Sequence, residues 1–184
     1  MIKIKIPFSD ETIAGLKTGD ELLLSGTLYA ARDAAHKRMV ADLEKGKMTP
    51  FEIRGQTIYF MGPAPARPGQ VIGSAGPTTS SRMDAYSPAL IKAGLKTMIG
   101  KGKRSPAVKD VMIKCRAVYL GATGGVGASL SRCIKRAEVI AYPELGAEAI
   151  LRLEVIDFPV VVINDIYGRD LYETERARYR LEKS

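Results

Sequence analysis

The chain has 184 residues, of which 46% are hydrophobic and 26% charged. That is enough apolar material for one well-buried core, and it excludes a disordered chain. The net charge of +8 asks for an acidic counterpart, but aromatics make up only 7% and none is interleaved with the cations, so no base-stacking platform for nucleic acid is expected.

The opening run Ile2-Lys3-Ile4-Lys5-Ile6 alternates like a strand and lacks the long apolar stretch of a signal peptide, so a cytoplasmic protein is expected. A second strand is expected over residues 21–30, then a helix over 32–44 that Gly46 stops. Residues 51–60 read as two short strands joined by hairpin-like turn chemistry at Arg54-Gly55-Gln56. The proline- and glycine-rich stretch 61–77 is a loop. A short helix over 88–96 and a strand over 96–100 follow. Ser105-Pro106 opens a helix running to 114, with proline just inside its start. A buried strand over 117–121, a helix over 127–136, and strands over 139–141, 150–155 and 160–165 complete the pattern. A charged helix is expected over about residues 170–184, carrying the Arg176 to Arg180 cluster as a solvated face or a subunit contact. Early strands followed by alternating strands and helices predict an α/β fold, a compact β/β/α arrangement forming one domain over 1–184.

The longest apolar run, residues 158–163, is too short to span a bilayer, so no membrane partner is expected. The two cysteines, Cys115 and Cys133, lie 18 positions apart and lack the spacing and number of an iron–sulfur ligand set. Each reads as a buried thiol, and no metal site is expected on this chain.

Three segments carry candidate chemistry. In Gly76-Pro77-Thr78-Thr79-Ser80-Ser81-Arg82-Met83-Asp84, adjacent hydroxyls, turn N–H groups and a guanidinium make a receptor for a carboxylate or phosphate. A polar turn that caps the following helix explains the same residues. Ser25-Gly26-Thr27 runs through Ala31-Arg32-Asp33-Ala34-Ala35-His36, placing Arg32 and the single histidine on one helix face. Gly100-Lys101-Gly102 sets a cation between residues that let a ligand approach the backbone. Taken singly, Lys101 also reads as a solvated charge and His36 as a satisfied or surface histidine.

Together, and in this order, these segments resemble the β subunit of class I fumarases and L-tartrate dehydratases. The likeness continues through Tyr59-Phe60-Met61-Gly62-Pro63, Leu145-Gly146-Ala147-Glu148-Ala149-Ile150, Glu154-Val155-Ile156-Asp157-Phe158-Pro159 and Asp165-Ile166-Tyr167-Gly168, covering nearly the whole chain. The resemblance implies a swivelling β/β/α domain that closes over a [4Fe–4S] cluster held by three cysteines of a partner α subunit. It implies reversible hydration of fumarate to L-malate, with L(+)-tartrate dehydration as the alternative, in a hetero-oligomer such as α2β2. By motif, Arg32, Arg82 and Lys101 would bind the dicarboxylate and Thr78 would be the catalytic base, with His36 and Thr79 in support. Three cations would exceed a dianion's charge by one, favouring the aci-carboxylate that forms as the α-proton leaves.

A different reading competes. Ala117 to Ser129 offers a strand, a glycine loop from Gly121 to Gly127 and a helix, which is the setting of a dinucleotide-binding fingerprint. Too little chain follows for repeated βαβ units, and close strand–helix packing explains the same glycines.

Overall fold

The computed structural model describes residues 1–123 and 125–178. Its seven strands are β1 (Ile2–Ile6), β2 (Glu21–Ala30), β3 (Thr57–Tyr59), β4 (Thr97–Gly100), β5 (Val118–Gly121), β6 (Ile134–Ala141) and β7 (Ile150–Asn164). The helices are α1 (Asp10–Gly15), α2 (Asp33–Glu44), α3 (Ser87–Lys92), α4 (Pro106–Cys115), α5 (Gly127–Cys133) and α6 (Leu171–Arg178). Strands β1 to β5 run parallel in sequence order. β7 lies antiparallel to β5, β6 and β2. Because β7 pairs with both β2 and β5, strands β2, β3, β4, β5 and β7 close into a ring.

Alternation along the short parallel strands sends side chains into two cores. Tyr59, Ile99, Val118 and Leu120 point toward β7 and join Leu22, Leu24, Leu28, Leu153, Phe158 and Val162. Ile58, Phe60, Met98 and Tyr119 point the other way, against Ala35 and Met39 of α2, Leu90 and Ile91 of α3, and Val108 and Met112 of α4. Strands buried on both faces must be apolar almost continuously, which is how β3, β4 and β5 read.

Several elements differ from their sequence expectation. Residues 51–56 form no strand; Gly55 N–H bonds Gly94 O at 2.9 Å and Phe51 stacks on Tyr29 with ring centroids 3.8 Å apart. Only Thr57–Tyr59 pairs, in parallel with β2 and β4, so no hairpin forms at Arg54-Gly55-Gln56. α5 stops at Cys133, and the expected end of that helix is the start of β6, whose Glu138 meets Arg152 of β7 at 2.8 Å. The two strands expected over 150–165 are one strand, β7. Its pairing with β2 shifts by one residue between Leu24–Phe158 and Gly26–Val155, beside Asp157 at φ 49°. Such a bulge keeps both halves in register while bending the strand. α1, capped by Ser9 Oγ accepting from Thr12 N–H at 3.1 Å, has no counterpart among the expected elements. The remaining elements lie within a few residues of expectation. Residues 179–184 of the expected C-terminal helix, Arg180 among them, lie outside the described residues.

Candidate active site at the strand ends

The segments singled out by sequence meet where the parallel strands end. Arg32 follows β2 and is the N-cap of α2; Phe60 to Gly62 follow β3; Lys101 follows β4; the glycine loop follows β5. Carboxyl ends of parallel strands are where α/β proteins place ligands, because strands diverge there and helix N-termini converge.

The Thr-Thr segment is threaded between two of these ends. Tyr59 Oη–H donates to Ala75 O at 2.6 Å and Thr78 N–H to Phe60 O at 2.7 Å. Lys101 N–H donates to Thr78 O at 3.4 Å, and Ser80 N–H to Lys101 O at 2.9 Å. Thr78 and Thr79 thus extend the sheet between β3 and β4, and a 3₁₀ turn over Ser80–Met83 then lifts Arg82. Below, Tyr119 Oη–H donates to Gly102 O at 2.9 Å, so the Ser80 hydroxyl, 2.8 Å away, donates to Tyr119. Thr78 is half-buried, and its hydroxyl has no hydrogen-bond partner among the described residues. Thr79 and Lys101 are exposed, and Lys101 has no ion pair among the described residues.

Both arginines are held by carboxylates that sequence reading did not single out. Arg82 Nε donates to Asp33 Oδ1 at 2.8 Å. Arg32 Nη2 lies 3.3 Å from Glu148 Oε1, while Glu148 Oε2 accepts the Ala34 N–H at 2.8 Å and so caps α2. Gly62 makes room for Arg32: a Cβ there would lie 2.6 Å from Arg32 Cδ and 2.7 Å from Ala147 O. Asp33 and Glu148 lower the local sum of charge from the expected three positive to one. The surplus over a dianion expected from the three cations is therefore absent. Asp33 and Glu148 both stand in the matched motifs, but that Glu148 meets Arg32 is set by the fold alone.

His36 is fully buried beneath Arg32. Its Nδ1–H donates to Arg32 O at 2.8 Å, its ring meets Phe60 edge-on at 5.2 Å, and Nε2 has no partner. Burial, with the Arg104 cation adding to it, lowers its pKa from 6.5 to about 4. His36 is a neutral support for the Arg32 backbone, not a surface residue or a cation. Because the unfolded chain takes up this proton near pH 6.5 and the folded one only near 4, His36 favours folding above pH 6.5. That contribution is lost as pH falls toward 4. Unfolding free energies in urea are expected to drop by about 2 kcal/mol from pH 7 to 5 on this account. The His36→Gln chain should lack that part of the slope; an identical slope would show that His36 is not responsible.

The glycine loop after β5 does not make a dinucleotide fingerprint. α5 has only seven residues and leads into β6, which is antiparallel to its neighbour rather than the next parallel strand. Gly127 instead packs on the Thr-Thr loop: its O accepts Ala75 N–H at 3.1 Å, and a Cβ there would lie 2.4 Å from Ser74 Oγ. Gly124 lies outside the described residues. The cysteines are free and half-buried rather than fully buried, Cys115 ending α4 and Cys133 ending α5. No helix among the described residues is long and apolar enough to cross a membrane.

Residues 1–175 match the family described as Fumarase C-terminus. The chain belongs to that family. Over 154 residues it is 42% identical to the aerobic class I fumarate hydratase of Salmonella typhimurium, a match covering 83% of this chain and 27% of that protein. Fumarate hydratase 2 of Leishmania major is 39% identical over 161 residues, covering 86% of this chain and 28% of its own length. The putative L(+)-tartrate dehydratase subunit beta of Methanocaldococcus jannaschii is 35% identical over 164 residues, and there the match covers 86% of this chain and 84% of that one. The chain thus spans about a quarter of these fumarate hydratases and most of a tartrate dehydratase β subunit.

Proposed function

We propose that this chain is the β subunit of an iron–sulfur hydro-lyase that interconverts fumarate and L-malate in the cytoplasm, paired with a separate α chain as α2β2. The observation that carries this reading is the convergence of Thr78, Arg82, Lys101 and Arg32 at the ends of adjacent parallel strands. The two cores on either face of the parallel strands support the swivelling β/β/α description.

In this proposal Arg82, Lys101 and Arg32 bind the two carboxylates of malate. The Thr78 hydroxyl oxygen, deprotonated, takes the proton from the carbon next to one carboxylate. The C–H electron pair moves into the aci-carboxylate and then into the new double bond, as the hydroxyl on the neighbouring carbon leaves as water with the proton returned by the partner-chain group that had deprotonated Thr78. Hydration of fumarate is the reverse. Lys101 supplies the unpaired positive charge that the developing dianionic carboxylate needs.

The [4Fe–4S] cluster belongs to the α chain. The described residues of this chain contain no group of three or more His, Cys, Asp or Glu able to hold a metal, and its cysteines end two different helices. When bound, the cluster supplies a Lewis-acidic iron for the substrate hydroxyl and carboxylate.

A second reading, L(+)-tartrate dehydration, is favoured by the one relative above that this chain covers almost end to end. Anaerobic reconstitution with a cysteine-bearing α chain separates the two. Turnover of fumarate and malate is expected from the mixture and from neither chain alone. Turnover of tartrate only would move the assignment to the second reading, and no turnover of any of the three would sink both.

A further inference from the structure

We propose that Asp33 is a positioning residue that holds Arg82 with its terminal fork free for a substrate carboxylate; this rests on the dicarboxylate reading above. Asp33 is the first residue of α2, where the helix dipole favours a carboxylate. Its Oδ1 accepts Arg82 Nε–H at 2.8 Å, and its Oδ2 stands 3.8 Å from Arg32 Nε. With Nε spent on Asp33, the two Nη groups of Arg82 have no partner among the described residues, and the side chain is half exposed. That leaves the end of the guanidinium as a planar, paired donor, the geometry that grips a carboxylate with two hydrogen bonds. A long side chain on a surface 3₁₀ turn would otherwise lose its rotamer freedom on binding, and an anchored one has already lost it.

The same carboxylate reaches toward the second arginine. Asp33 Oδ2 and Arg32 Nε are both buried, and neither has a hydrogen-bond partner. A shift of about 1 Å would join them, while Glu148 holds the far end of Arg32. Asp33 therefore sits between the two cations and sets the angle at which both face a ligand.

The sign of its effect separates this role from plain electrostatics. If Asp33 only diluted the positive potential, removing it would tighten binding of a dianion and lower KM. Positioning predicts the opposite. In the enzyme reconstituted with its α chain, Asp33→Ala is expected to raise KM for fumarate about tenfold with kcat within about threefold. Asp33→Asn, which keeps an acceptor oxygen without the charge, should fall between wild type and Asp33→Ala. In an Arg82→Ala background the Asp33→Ala change should add less than about twofold, because its target is gone. An active wild type whose Asp33→Ala variant has an unchanged or lower KM, or full additivity with Arg82→Ala, would overturn the proposal. A wild-type enzyme inactive on every dicarboxylate would instead remove the reading beneath it. Asp33→Asn is nearly isosteric and keeps these tests available if Asp33→Ala folds poorly.

Discussion

Thr78→Ala in the reconstituted enzyme is expected to lower kcat by about 10²–10⁴ while KM for the dicarboxylate stays within about threefold. The magnitude is that of losing a positioned proton acceptor, roughly 3–5 kcal/mol of the barrier. The fold should not notice the change. The backbone N–H and C=O of Thr78 are both bonded, to Phe60 and Lys101, and neither bond involves the side chain. Its hydroxyl has no partner among the described residues, so no buried acceptor or donor is orphaned. With Arg82, Arg32 and Lys101 untouched, ground-state binding persists, and kcat and kcat/KM should fall together, as for an interaction made only in the transition state.

A threonine hydroxyl is a poor base until it loses its proton, and the residues around it state what must help. Lys101 adjoins it through the Thr78–Lys101 backbone bond and brings the one site cation without an ion pair among the described residues. No carboxylate among the described residues bonds the Thr78 hydroxyl, and in the proposed enzyme the group that takes its proton comes from the partner chain. Thr78→Ser returns a hydroxyl on the same backbone and is expected to recover most of the lost turnover. A Thr78→Ala enzyme that keeps its turnover to within twofold would end the assignment of Thr78 as base.

The elements that were legible in sequence are those whose signals are local. Gly46 after α2 and Ser105-Pro106 before α4 are chemical stop and start marks, and the helices follow them. The apolar runs of β4 and β5 carry their own period. What was not legible depends on pairing across long distances. β6 reaches back to Ile134, ahead of the strand expected over 139–141, where it pairs with β7, and of residues 51–60 only Thr57–Tyr59 pair with β2 and β4. The site divides the same way. Thr78, Arg82, Lys101 and Arg32 were found as motif residues, but Glu148 lies 116 positions from Arg32 and only the fold brings it there. The site's charge is lower than its three cations imply because Asp33 pairs with Arg82 and Glu148 with Arg32, and neither pairing shows in sequence spacing.

A single buried ion pair underlies much of this arrangement, and its loss should have the largest effect on stability. Arg104 is 3% exposed. Its Nε donates to Asp84 Oδ1 at 2.7 Å, its Nη2 to Ser87 Oγ at 2.6 Å, and its guanidinium lies 5.2 Å from the centres of the Phe60 and Tyr119 rings. Burial pushes its pKa down and Asp84 pushes it back up. Asp84→Ala leaves that cation buried against neutral groups only, and is expected to cost about 3–5 kcal/mol. Against a typical domain stability of about 5–15 kcal/mol that is a large fraction, and thermal unfolding should shift down by roughly 10 °C. Adding 0.5 M salt should not reproduce the loss, since solvent ions do not reach the pair. The double variant Asp84→Ala with Arg104→Met removes the stranded charge and should regain part of the stability; a double variant no better than Asp84→Ala alone would refute the explanation. Asp84 also accepts the Ser105 N–H at 2.7 Å and follows the turn that carries Arg82, so it ties that turn to the Lys101–Ser105 segment. Asp84→Ala should therefore loosen Arg82 and Lys101 relative to each other, so that KM for a dicarboxylate rises at temperatures well below the shifted unfolding transition.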